Sequence, residues 1–210
     1  MYTMNFNSNM IDYDQDYIEF LKNGEGIHAR DNEGNTALHI SARKGHVAVV
    51  KTLLENGANV DAIDDKGRTA LHIATREGHV AIIKTLLEKG ADIHAKTNQS
   101  ATALHIASQN GHVSVAKTLL ENDANVDDKA TNDNTALHIA AQKGHVAVVK
   151  TLLENGADIH TKTSTGHTAL HISAQNGHIG IVDTLLKNGA DIHAETNLGA
   201  TALHHCFEFC

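Results

Sequence analysis

Apolar positions recur along this chain in two helical patterns, and both restart every 33 residues. From Thr36 the run T-A-L-H-I-S-A-R-K sets Leu38, Ser41 and Ala42 at i, i+3 and i+4, which is one face of a short helix. Thr36 precedes it as an N-cap, and Gly45 ends it by taking the left-handed conformation without a Cβ clash. A second helix begins after His46, with Val49, Val50, Leu53 and Leu54 on one face, and Asn56-Gly57 stops it in the same way. Residues 58–66 then alternate small and polar side chains up to Gly67, the pattern of an extended, hairpin-like loop.

The opening threonine returns at Thr69, Thr102, Thr135, Thr168 and Thr201 with no insertion or deletion. Neither helix is long enough to be stable alone, and each leaves an apolar face that only a neighbouring unit can cover. The expected fold is therefore all-α, a solenoid of stacked helix-turn-helix units joined by hairpin-like loops. The expected organisation is a loose polar arm at residues 1–12 and one repeat domain at 13–210. Within the domain, 13–33 is a partial unit, 34–66, 67–99, 100–132, 133–165 and 166–198 are full units, and 199–210 is a partial one.

Setting Gly24 against Gly57 brings Phe20 and Leu21 onto Leu53 and Leu54, so the first partial unit reads as one helix and a loop that caps the array. At the other end His205 replaces the recurring Ile172 and Phe207 replaces Ala174, which suits an end cap; a truncated chain is the competing explanation. The unit at 100–132 is the weakest copy, with Ser100 for a loop glycine and Asp123 where Gly57, Gly90, Gly156 and Gly189 end the second helix. A non-glycine residue held left-handed there costs on the order of 1 kcal/mol. Leu86 and Leu119 are expected in the core.

The T-A-L-H signature, the G-H after the first helix and the run L-L-E-N-G-A-D-I-H resemble the ankyrin repeat over about residues 14–210. One departure is systematic: Ala37, Ala70, Ala103, Ala136, Ala169 and Ala202 stand where that family usually has proline, which should loosen each helix start. The resemblance implies a non-enzymatic scaffold that holds a partner protein on a concave face of loop tips and first helices, with the second helices as the convex back. Carried over unit by unit, the tips are Asn32, Glu33 and Asn35, then Asp65, Lys66 and Arg68, then Asn98 and Gln99. They continue as Asn132 and Asn134, and as Ser164, Thr165 and His167. The matching first-helix positions are Arg43 and Lys44, Arg76 and Glu77, Gln109 and Asn110, Gln142 and Lys143, and Gln175 and Asn176. These positions vary while the core positions repeat, as on a partner-reading surface set on a fixed frame.

Composition narrows the partner. Lys and Arg number 17 against 25 Asp and Glu, a net charge of -8 with the basic residues scattered, so no nucleic-acid footprint is expected. No apolar run approaches a bilayer-crossing length, and no leader sequence is apparent. The 3 Tyr and 4 Phe all lie near the two ends, so the binding face lacks aromatic anchors and is expected to bind through polar or multi-point contacts. Arg43, Arg68 and Arg76 are then the strongest hot-spot candidates. Two cysteines make no disulfide framework, and a monomer in an intracellular, cytoplasmic setting is expected; a protein exported without a cleavable signal would have the same composition.

Seventeen histidines raise the question of metal chemistry. Equivalent side chains on stacked helices lie about 8–10 Å apart, whereas zinc ligands must each come within about 2.1 Å of the ion. The repeated histidines therefore cannot share one, and the resemblance implies that they fix loops through hydrogen bonds. The one local cluster of ligand types is His204, His205, Cys206 and Cys210, near a chain end that is expected to fray. Asp64-Asp65 is read as a solvated loop tip, not an acid/base pair, and neither catalysis nor a cofactor is expected. Two other readings are a targeting module of a larger enzyme or effector, and a consensus-like designed array; the absent prolines and irregular ends oppose the second.

Overall fold

The computed structural model describes residues 26–206, with no β-strand among the described residues. The arm at 1–12, the helix carrying Phe20 and Leu21, and the terminal Phe207 and Cys210 lie outside them. Two compact units divide the chain, residues 1–98 and 99–210.

In the first unit, helix α1 (Ala37–Lys44) turns into α2 (Val47–Glu55), and α3 (Ala70–Glu77) into α4 (Val80–Glu88). First helices pack together, α1 on α3, and second helices likewise, α2 on α4. The second unit continues the scheme with α5 (Ala103–Asn110), α6 (Val113–Leu120), α7 (Ala136–Lys143), α8 (Val146–Glu154), α9 (Ala169–Gln175), α10 (Ile179–Lys187) and α11 (Ala202–Cys206). There α7 sits between α5 and α9, α9 also meets α11, and α8 sits between α6 and α10.

Leu38, Leu53, Leu71 and Leu86 fill the core of the first unit, and Leu104, Leu119, Leu137 and Leu152 that of the second, all at 2% exposure or less. The expected burial of Leu86 and Leu119 is met.

Each first helix starts in a capping box built from threonine and histidine. The Thr36 hydroxyl accepts the His39 backbone N–H, and the Thr36 N–H donates to His39 Nδ1 at 3.1 Å. Because Nδ1 accepts, the ring proton is on Nε2, which donates to the Arg68 carbonyl at 2.9 Å in the next repeat. The same arrangement ties His72 to Ala95, His105 to Asn134, His138 to Thr161 and His171 to Ala200, at 3.0–3.1 Å. These histidines thus cap their own helices and tie them to a loop carbonyl, which lies in the following repeat for His39, His105 and His171 and in the same repeat for His72 and His138. With these cap bonds in place at every start, the helices begin at the threonine without proline.

The second histidine reaches backward in three repeats, at His79, His145 and His178. His79 Nε2 lies 3.2 Å from the Arg43 carbonyl, and His145 Nε2 the same distance from that of Gln109. This explains why glycine ends the first helix on two counts. Gly45 has φ +81°, and a Cβ there would lie 3.0 Å from the His79 ring.

The left-handed positions filled by other residues are strained as expected at Ser100, with φ 58°, and Asp123, with φ 68°. The loop at residues 131–133, which the sequence pattern did not single out, is strained too. Asn132 and Asp133 have φ 62° and 57°, and Asp133 occupies the register of Gly34, Gly67, Gly166 and Gly199.

Candidate binding surface

The loops close through side-chain acceptors that precede each tip. Asp31 Oδ1 accepts the N–H groups of Glu33 and Asn35, at 2.9 and 2.8 Å. One repeat later Asp64 Oδ1 accepts those of Lys66 and Arg68, at the same distances. Thr163 and Thr196 use a hydroxyl on the N–H of His167 and Ala200. Ala130 has no such acceptor, and its loop is the one that takes two left-handed non-glycine residues.

Two expectations fail here. Asn35 is 1% exposed and its side-chain amide is bound to both Asp31 carboxylate oxygens, so it closes the loop and leaves the surface. Asp64, read as a solvated tip residue, is 4% exposed. Burial alone would raise its carboxyl, but hydrogen bonds from the Arg68 side chain and from the N–H groups of Arg68 and Lys66 outweigh this and hold it below the ordinary carboxylate value. Arg68 is correspondingly engaged, with Nε 2.7 Å and its terminal nitrogen 2.6 Å from Asp64 Oδ2. It is a loop fastener more than a hot spot.

The other expected residues are at least partly exposed. In the first unit Asn32, Glu33, Lys44, Asp65, Lys66, Arg76, Glu77 and Asn98 face solvent, and Arg43 is half-buried, donating to Asn35 Oδ1 at 3.2 Å. Arg76 lies 2.9 Å from Glu77, so these neighbouring charges partly satisfy each other. In the second unit Gln99, Gln109, Asn110, Asn132, Gln142, Lys143, Ser164, Thr165, Gln175 and Asn176 are exposed. Asn134 and His167 are half-buried.

Successive tips are joined by their backbones. The Asp65 N–H donates to the Glu33 carbonyl at 3.1 Å and that of Asn98 to Lys66 at 3.1 Å. In the second unit Thr131 donates to Gln99 at 3.3 Å, Ser164 to Asn132 at 3.0 Å and Asn197 to Thr165 at 3.2 Å. Gly34 and Gly67 permit this approach: a Cβ on Gly34 would lie 2.9 Å from the Asp65 nitrogen, and one on Gly67 2.8 Å from that of Asn98. The tips are therefore fixed by main chain, and their side chains vary without disturbing the row.

The row extends beyond the expected tips. Asn197 joins it, donating from its side chain to the Ser164 carbonyl at 3.0 Å, and Leu198 stands beside it at 95% exposure. Their signal was the 33-residue step from Ser164 and Thr165.

In the second unit the tips and first helices enclose two grooves of about 430 and 350 Å³ that share Asn132, Asn134 and Gln142. Ile106, Ile139 and Ile172 line them, each half-buried.

No group of three or more His, Cys, Asp or Glu among the described residues could hold a metal ion. No helix among them is long and apolar enough to cross a membrane.

A family model for ankyrin repeats in three copies matches residues 10–97 and 94–163, and a single-repeat model of the same family matches 165–197. No curated protein matches the chain.

Proposed function

This chain belongs to the ankyrin-repeat family, whose repeats generally bind proteins, and we propose that it is a non-enzymatic scaffold binding a partner protein through its loop tips and first helices. The observation that carries this reading is the split between fixed and variable positions. The Thr and His of the caps, the core leucines and the main-chain bonds between tips recur from repeat to repeat, while the exposed tip and first-helix side chains change. A row of side chains mounted on a bonded backbone loses little conformational entropy on binding, which favours recognition. The second helices instead repeat Lys51, Lys84, Lys117 and Lys150, all exposed, and supply a uniform back. A cytoplasmic monomer suits the composition.

The test is affinity capture with the intact chain and two variants. Lys66→Ala/Arg76→Ala/Asn132→Ala/Gln142→Ala alters the proposed face, and Lys51→Ala/Lys84→Ala/Lys150→Ala alters the back. Partners bound by the intact chain should be lost with the first and kept with the second. Retention by the first variant would place the binding surface elsewhere.

A further inference from the structure

The first-helix position that carries Arg43 and Arg76 carries Gln109, Gln142 and Gln175 in the second unit. These three glutamines are exposed, 33 residues apart, and border the two connected grooves. Around them the groove walls are mostly amides and hydroxyls, with His105, Lys143 and His167 the only ionisable side chains and no acidic one. With Lys143 as the single exposed lysine in its walls, such a groove offers little to attract or orient a charged surface.

Geometry narrows the occupant. Packed helices lie about 8–10 Å apart, so one glutamine and one half-buried isoleucine recur at about that interval. A polyproline II segment has three residues per turn and rises about 3.1 Å per residue, so it repeats the same face about every 9 Å. An α-helix in the groove would repeat about every 5.4 Å and fall out of step. Polyproline II also leaves its own N–H and C=O groups unbonded, and a glutamine amide offers two donors and an acceptor to meet them.

We propose that the groove formed by α5, α7 and α9 binds an extended, uncharged peptide segment of about nine residues in polyproline II form. Gln109, Gln142 and Gln175 hydrogen-bond its main chain, and an apolar side chain at every third position sits on Ile106, Ile139 and Ile172. This deepens the protein-binding reading and rests on it: the segment is the part of the partner that the second unit holds.

The test selects a phage-displayed library of random peptides, about 12 residues long to span the groove, against the full-length chain. Enriched peptides are then made as labelled probes for fluorescence anisotropy. The expected peptides are uncharged, with an apolar residue at every third position. Their affinity should fall about tenfold or more in Gln109→Ala/Gln142→Ala/Gln175→Ala, since three hydrogen bonds are removed. It should be unchanged in Arg43→Ala/Arg76→Ala and nearly independent of salt from about 50 to 500 mM. The three glutamines are exposed on helix surfaces and alanine is the better helix former, so an unchanged melting temperature in the variant separates binding from folding.

Charged peptides that need Arg43 and Arg76, a steep salt dependence, or no enrichment at all would overturn the proposal. None of these would touch the broader reading, which is decided by partner capture with the face and back variants.

Discussion

Lowering the pH from about 7.5 to about 5.5 perturbs the buried cap histidines while sparing the carboxylates, and His138 allows the effect to be worked out. Its ring is 1% exposed, Nδ1 accepts the Thr135 N–H at 3.1 Å, and Nε2 donates to the Thr161 carbonyl at 3.0 Å. Burial pushes its pKa from 6.5 down to about 4, against the opposing pull of the Thr161 carbonyl. Protonation would also put a proton on Nδ1, where a donor already points. Since the folded value lies below the unfolded one, the unfolded chain binds more protons between the two. Stability is intact above about 6.5, falls as the pH drops, and stops falling below about 4. At pH 5.5 the unfolded imidazole is about tenfold more protonated than not while the folded ring is still neutral, which removes about 1.4 kcal/mol through His138 alone. His39 is shifted in the same direction by its burial and adds to the loss. Asp31 and Asp64 are held below the ordinary carboxylate value by hydrogen bonds that outweigh their burial. Their contribution is present above the unfolded value of about 4 and is lost only below it, so the window from 7.5 to 5.5 isolates the histidines. Urea unfolding followed by circular dichroism should show the midpoint falling between these two pH values. An unchanged midpoint would refute the neutral, buried state assigned to these rings.

Three further outcomes follow from local features. Asp123→Gly should raise stability by up to about 1 kcal/mol, because glycine accepts φ 68° without strain; an unchanged unfolding midpoint would mean that the aspartate bears no strain. Ser108→Ala should also stabilise, by about 1 kcal/mol, since its fully buried hydroxyl has no hydrogen-bond partner, while Ser173→Ala should not, because Ser173 Oγ donates to the Leu170 carbonyl at 3.0 Å. Equal effects of the two serine substitutions in chemical denaturation would argue against this. Leu119→Ala removes a 0%-exposed side chain from between the stacked helices and should cost about 2–5 kcal/mol by the same assay.

The helix boundaries and the core were legible because they rest on residue type: a threonine, a histidine three positions on and a glycine each have one geometry they satisfy best. The bonded tip row was not, because it runs through backbone. Glu33, Lys66, Gln99, Asn132 and Thr165 range from acid to base to amide to hydroxyl, yet their carbonyls all accept from the next tip. Asn35 was misplaced for a related reason. An asparagine in a loop reads as exposed until the acceptor four residues earlier, Asp31, is seen to hold it. The i, i+4 pair Asp64 and Arg68 carried that signal in sequence, but adjacency to Asp65 suggested a pair of solvated acids instead. The amide-lined second-unit groove was already present in the string Gln109, Gln142, Gln175, and its meaning emerged only once Ile106, Ile139 and Ile172 were found half-buried beside it.

Within each unit the exposed tip side chains are carried on a main chain fixed from repeat to repeat. Amide hydrogen exchange at Asp65, Asn98, Thr131, Ser164 and Asn197 measures this directly, since all five residues are exposed yet their N–H groups are bonded to the preceding tip. Slow exchange is expected at these amides, approaching the rate set by opening of the packed repeats. Exchange as fast as in an unstructured loop would contradict it and leave the face without a fixed frame.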